Sequence, residues 1–257
     1  LEQPLWFQRP GAKPVEQVTF HRSNAFDVVA DEVHATRTGV GLLETTGFAK
    51  HEFTGPGARA FLERTMANRI PEPGRMALTP MLNHQGMLIG DFTVATISTT
   101  TDPTNGSEGP ERFLGFGSGA AEGHHERWFR SQLPHTGDRV AYRPLSHEMA
   151  GLSISGPAAR QVLASLTDMD VSNDSFRFLD VRRMDLGMVP ALVARISFTG
   201  DLGYEFWVPA SLQQRLFQLL TEAGEPHGMR LFGLRALDSM RFDKGFGAWA
   251  SEYRPVY

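Results

Sequence analysis

Two carboxylates stand in surroundings that are otherwise apolar. Asp91 lies between Gly90 and the strand-like run FTVATI, and Glu205 lies between Tyr204 and Phe206 in GYEFWVP. A carboxylate on an apolar strand can accept hydrogen bonds from the N–H edge of a heteroaromatic ring. It can also serve as a base whose pKa has been raised by burial. An acidic residue beside a hairpin turn is equally a solvated or backbone-capping group, and the residues by themselves leave both readings open. Met76, Met81 and Met87 cluster near Asp91 and suit either core filling or the wall of a ligand site. Only three of the 25 basic residues are lysines, so any recognition of phosphate or carboxylate falls to arginine. Arg235 and Arg241 on the last helical stretch are the candidates, with a solvated helix face as the alternative.

Other patterns are weaker. Gly115, Gly117 and Ala120 fit G-x-G-x-x-A between a short strand and a helix, with Asp138 at a suitable distance for a nucleotide ribose. The segment that follows, DRVAYRPL, makes a poor parallel strand, and a Gly-rich turn into a helix accounts for the same residues. The nine histidines show no metal-ligand spacing, and His124 and His125 are adjacent, so they diverge on a helix. Ser146-His147-Glu148 is contiguous, which does not suit a triad whose members must converge in space. Cysteine is absent, which excludes disulfides, thiol catalysis and cysteine–zinc sites. A net charge of −4 supplies no basic field for nucleic acid or an anionic membrane. No apolar run approaches the ~18 residues that span a bilayer. The chain opens on Leu1, not Met, and reads as a processed chain or a segment of a longer one.

The elements that must position these groups come in a repeat. FTGPGARAFL (53–62) and ISGPAARQVL (154–163) share apolar, Thr or Ser, Gly-Pro, small, Ala-Arg and a final Leu. Each follows a strand-like segment and enters a helix, with a hydroxyl expected near the N-cap and Pro in the first turn. Each is followed by a hairpin (74–97 and 186–209) and a further amphipathic helix (120–133 and 209–224). The expected fold is therefore α+β: two related strand–helix–hairpin–helix units with antiparallel sheets, disposed about a pseudo-twofold. Residues 1–145 form the first unit with an N-terminal extension, and 146–257 form the second with a helix and an extended tail. On this alignment Asp91 and Glu205 occupy similar places in the two units and would border one pocket if the units face each other. The Ser/Thr/Gly-rich stretch 98–111 is expected to be a long surface loop.

Four segments in order, VGLLETTGFAKHEFTGPGARAFL, GRMALTPMLNHQGMLIGDFTV, RISFTGDLGYEFWVP and GLRALDSMRFDKGFGAW, resemble the tetrahydrofolate-binding module of the glycine-cleavage T-protein (aminomethyltransferase) family. GFAKHEFTGPGA, SNDSFRF and KGFGAW are most similar to the folate module in the C-terminal half of dimethylglycine and sarcosine dehydrogenases or oxidases. The resemblance covers nearly the whole chain. It implies tetrahydrofolate as cofactor and a small N-methyl amine-derived iminium as one-carbon donor, trapped as 5,10-methylenetetrahydrofolate. It also implies a flavin-binding partner domain or subunit, with FAD confined to that part, and no nucleic-acid or membrane partner. The implied location is the cytoplasm, or the mitochondrial matrix in a eukaryote. Asp91 matches the catalytic aspartate beside the reacting folate nitrogens, and Glu205 matches the glutamate that bonds the pterin edge. Phe198, Tyr204, Arg241, Trp249 and Met87 are implied at the folate site. Phe198 stands where many members have Tyr, and Leu237 where the T-protein has a ligand-binding Arg. Family members continue into a C-terminal β-barrel; this chain stops at EYRPVY without it, and it shows no flavin dinucleotide fingerprint near its start. Two other functions fit the same resemblance: a tetrahydrofolate-dependent S- or O-demethylase, and a folate-binding module without catalysis.

Overall fold

A computed structural model describes residues 2–97, 111–134, 139–249 and 251–253. The expected loop at 98–111 therefore falls almost wholly outside the described residues, as do Asp138 and residues 254–257. In chain order the elements begin with α1 (Ala25–Thr38) and β1 (Gly41–Glu44). The first repeat follows as β2 (Ala49–Thr54), α2 (Ala58–Thr65), β3 (Arg75–Leu82), β4 (Leu88–Ile97), β5 (Arg112–Gly117), α3 (Glu122–Gln132) and β6 (Ala141–Pro144). The second repeat comprises β7 (Met149–Ser155), α4 (Ala159–Ala164), β8 (Val181–Leu186), β9 (Val189–Ala194), β10 (Gly203–Pro209) and α5 (Gln213–Gly224). The short strand β11 (Arg230–Leu231) and α6 (Leu234–Asp243) complete the set.

The strands form two sheets, ordered β3-β4-β5-β2-β6 and β11-β1-β7-β10-β9-β8. Strand for strand, the order β3-β4-β5-β2 of the first repeat matches β8-β9-β10-β7 of the second. The fold is α+β with antiparallel pairing, apart from the parallel edge pair β1–β11. Each repeat has a three-stranded meander, where the sequence suggests a hairpin and a further strand in the first repeat and a hairpin alone in the second. The additional strand of the second repeat is β8, whose residues VRRMDL are too charged to stand out as a strand.

The chain divides into two compact units. The six-stranded one holds Leu1–Gly47, Ala150–Phe178 and Arg183–Phe246, and the five-stranded one holds Phe48–Met149, Leu179–Arg182 and Gly247–Tyr257. This interleaved division differs from the chain-order boundary at 145/146, and the pairing of β1 explains it. Leu42 sits opposite Ile154 of β7 and beside Leu231 of β11, so the N-terminal segment completes the sheet of the second repeat.

In the five-stranded unit, Phe53, Phe92, Val94 and Phe113 pack with Phe61 and Leu62 of α2 and Phe129 of α3. In the six-stranded unit, Ile154, Val193, Tyr204, Phe206 and Val208 pack with Val162 and Leu163 of α4 and Leu216 and Leu220 of α5. Its other face carries Leu43 with Phe232, Ala236, Leu237 and Met240, against which Val29, Val33 and Phe198 lie. Buried Glu32 of α1 joins two segments there, accepting the N–H of Phe7 at 2.6 Å and of Gly233, just before α6, at 3.0 Å.

The two GP turns are alike in a way the sequence does not fully disclose. Gly55 and Gly156 have φ of 105° and 126°, a region open to glycine. A Cβ at Gly55 would strike the Arg139 carbonyl, and one at Gly156 the carbonyls of Thr36 and Gly39. Pro56 and Pro157 precede the N-cap residues Gly57 and Ala158, and no side chain caps either helix. The expected hydroxyl cap is thus replaced by backbone bonds, Ala58 N–H to Gly55 and Ala159 N–H to Gly156.

Candidate functional site

Asp91 belongs to the five-stranded unit. It lies near the start of β4, opposite Pro80 of the edge strand β3. Proline has no N–H to donate across the ladder and is accommodated at an edge. Lys50 opposes Phe116, and Phe116 opposes Thr93. Directly opposed residues share a face and residues two apart repeat it, so Asp91, Thr93, Phe116 and Lys50 share one face of the sheet. Phe92, His51 and Phe53 take the other face, toward α2 and α3. Burial pushes the Asp91 carboxyl above the ordinary aspartate range, against the opposing effect of two backbone N–H groups, its own and that of Trp249. Such a carboxylate is a better base than a solvated one.

Trp249 is brought to Asp91 by the tail that follows α6. Its indole stacks on His124 (5.8 Å between ring centres, 14° between planes), and its Nε1 points to the Leu88 carbonyl at 3.5 Å. Met87 lies at the tip of the β3–β4 hairpin and is exposed, its N–H held by the Asn83 side chain at 2.9 Å. Met76 and Met81 are core residues. Sequence reasoning passes over the two groups behind β4. His51 and His125 are fully buried, 6.3 Å apart between ring centres. His51 Nδ1 meets the Tyr142 hydroxyl at 2.9 Å, and His125 Nε2 meets the Ile89 carbonyl at 3.0 Å. Burial holds both imidazoles neutral, at about 3 for His51 and about 4 for His125. The one signal available was the pair His124-His125 on an amphipathic helix, which suggests divergence and not service to a neighbouring strand.

Glu205 belongs to the six-stranded unit. It opposes Ala194 on β10 and is half-buried between the buried side chains of Tyr204 and Phe206. Strand alternation separates it from Tyr204. The tyrosine ring faces the core, stacked on Phe176 (5.8 Å, 12°), and its hydroxyl accepts from Arg160 Nε at 3.2 Å. Tyr204 and Glu205 therefore do not share a face. Arg241 and Phe198 do come together, the guanidinium lying 5.7 Å from the ring centre. Arg241 is buried in α6, donating to Asp238 at 2.8 Å and to the Phe246 carbonyl at 2.9 Å. Arg235, the other candidate, is engaged by both oxygens of Glu16, at 2.5 and 2.8 Å. Its guanidinium brings the Glu16 carboxyl down to about 2. Among the described residues of this unit, three buried oxygens lack a hydrogen-bond partner: Thr45 Oγ1, Ser155 Oγ and Asp201 Oδ2.

The remaining motifs have structural roles. Gly115 and Gly117 lie within β5, and a Cβ on Gly117 would fall 2.6 Å from the Phe92 ring, so this glycine makes room for an aromatic side chain. Ser146 Oγ accepts the Lys50 N–H at 3.0 Å.

Two antiparallel sheets of matched strand order define an α+β scaffold of two related repeats. The fold is that of glycine cleavage system aminomethyltransferase T from Bartonella henselae (TM-score 0.70, 19% identity, 86% of this chain and 55% of that one). The chain belongs to the GCVT N-terminal domain family, which matches residues 1–257. It is 32% identical to mitochondrial dimethylglycine dehydrogenase of Rattus norvegicus, over 98% of this chain and 28% of that protein. It is 26% identical to the aminomethyltransferase of Oceanobacillus iheyensis, over 94% of this chain and 63% of that protein. The chain thus spans less than two thirds of either relative, and it is an aminomethyltransferase-type domain related to dimethylglycine and sarcosine dehydrogenases. Among the described residues no helix is long and apolar enough to cross a membrane.

Proposed function

We propose that the chain binds tetrahydrofolate and uses it to capture a one-carbon unit from the iminium of an oxidised N-methyl amine, giving 5,10-methylenetetrahydrofolate. The folate supplies two nucleophilic nitrogens; the iminium carbon bonds to both, the secondary amine leaves with one of their protons, and the other proton must be taken up. Asp91 accepts that proton, and the observation that carries the reading is its half-buried carboxylate, raised in pKa and held by backbone N–H groups alone among the contacts that shift it. A base of this kind, poised closer to working pH, is more effective than an ordinary aspartate. Glu205 accepts hydrogen bonds from the pterin edge, which explains a carboxylate between two buried aromatic residues. Arg241 and Phe198 form a cation–aromatic wall in the same unit, and the Trp249 backbone N–H bonds Asp91 in the other. The flavin oxidation that yields the iminium belongs to a partner domain or subunit.

Calorimetric titration with a reduced folate, on the full-length protein and on residues 1–257, tests this reading. Binding that disappears in Glu205→Ala supports it, and a full-length protein with no affinity for reduced folate refutes it.

A further inference from the structure

The catalytic aspartate is held from behind by a residue that never touches it. His125 on α3 reaches the β4 backbone at Ile89, two residues before Asp91, with Nε2 at 3.0 Å from the carbonyl oxygen. A carbonyl can only accept, so Nε2 carries the proton and the neutral tautomer is fixed. Glycine at position 90 makes this contact possible, because a Cβ there would lie 2.7 Å from His125 Nε2. The same ring packs 4.7 Å from Phe92, the residue after Asp91, and 5.3 Å from the indole of Trp249. Trp249 in turn gives its backbone N–H to the Asp91 carboxylate. His125 therefore braces β4 on both sides of Asp91 and backs the segment that bonds its side chain.

We propose that His125 is a positioning residue for Asp91, fixing the carboxylate through the Ile89 carbonyl and the Trp249 segment. The inference rests on the folate-transfer reading for its kinetic consequence, while its geometric content concerns Asp91 alone. Small displacements of a catalytic group are costly even when the mutated residue is remote from the reaction. A histidine that only fills space would be replaceable by any side chain of its volume. A histidine that positions through a donor needs a donor.

The test uses the full-length protein with His125→Leu, which keeps bulk without a donor, and His125→Gln, whose amide can reach the Ile89 carbonyl. For His125→Leu the expected result is a fall in kcat of about 10- to 100-fold with KM for folate nearly unchanged. The limb of the pH–rate profile set by Asp91 should move, and His125→Gln should restore most of both. Wild-type kcat and pH profile in the leucine variant, or equal losses in both variants, would overturn the proposal. Should His125→Leu fail to fold, Gly90→Ala decides, since its methyl displaces the imidazole from Ile89; transfer at the wild-type rate then overturns it. If the wild-type protein binds no reduced folate, the folate reading fails separately. Titration of the Asp91 carboxyl by carbon-13 NMR then carries the test, with a shift in the leucine but not the glutamine variant supporting positioning and identical titrations overturning it.

Discussion

The two units share a strand order and place their carboxylates differently on it. Asp91 lies on β4, whose counterpart in the six-stranded sheet is β9, whereas Glu205 lies on β10, the counterpart of β5. The surroundings differ as well. Asp91 is braced by a strand pinned from behind and by a tail segment, with two neutral histidines in the core beneath it. Glu205 is set into an unbroken strand whose alternate residues are core aromatics. On the proposed function, one scaffold supports two kinds of site: a group held for reaction and a group held for recognition.

The sharpest break between the two carboxylates is expected in function. Asp91→Asn should lower one-carbon transfer by roughly 10²- to 10⁴-fold while leaving the Kd for reduced folate nearly unchanged, as read by rapid kinetics beside calorimetry. Glu205→Ala should do the reverse, weakening binding by about 100-fold or more through the loss of charge-assisted hydrogen bonds. Equal effects of the two substitutions on binding would abolish the distinction.

Acid should also separate the units. His51 and His125 titrate in the folded protein at about 3 and about 4, against about 6.5 in an unfolded chain. Below pH 6.5 the unfolded state binds the extra protons, so the stability these residues contribute is full above that pH and falls as pH drops toward 4. Between pH 7 and pH 5 the loss is on the order of 2 kcal/mol per histidine. Glu32 in the six-stranded unit has the opposite sign, because burial raises its carboxyl; its contribution is present in acid and is lost as pH rises through the folded value. Residue-resolved hydrogen exchange at pH 5 and pH 7 should show acid loosening β2 and α3 before α1 and α6.

Gly55→Ala and Gly156→Ala should each cost about 2 kcal/mol, since both glycines have positive φ and a Cβ on either would strike a backbone carbonyl. A large difference between their denaturation midpoints would undo the equivalence of the two turns. The smallest expected effect is a gain. Asp91→Asn removes a desolvated charge, so Tm should rise by about 1–2 °C although transfer is lost.

Much of this was legible in the chain. The repeated GP turn announces two related units, and four ordered motifs name the family. The strand β8 escaped because its alternation, Val181, Met184 and Leu186 against two arginines and an aspartate, is short and charge-rich. That omission shifted the second repeat by one strand and made Asp91 and Glu205 look equivalent. The place of β1 was hidden for another reason: its partners β7 and β11 are remote in sequence, and pairing across such spans leaves no local pattern. The resemblance implies Tyr204 at the folate site beside Glu205, while strand alternation sends these neighbouring side chains to opposite faces. The role proposed for His125 depends on a helix–strand contact with a backbone carbonyl, which no spacing rule encodes.

The interleaving of the units has a consequence for the order in which the protein can be made. Phe48–Met149 contains all five strands of one sheet, so that sheet can close while the rest of the chain is still being synthesised. The six-stranded sheet cannot. β1 leaves the ribosome early and must wait for β7 on one side and for Arg230–Leu231 on the other, exposing Leu42 and Leu43 in the interval. The apolar residues of β1 therefore stay uncovered until β7 and then β11 have been made.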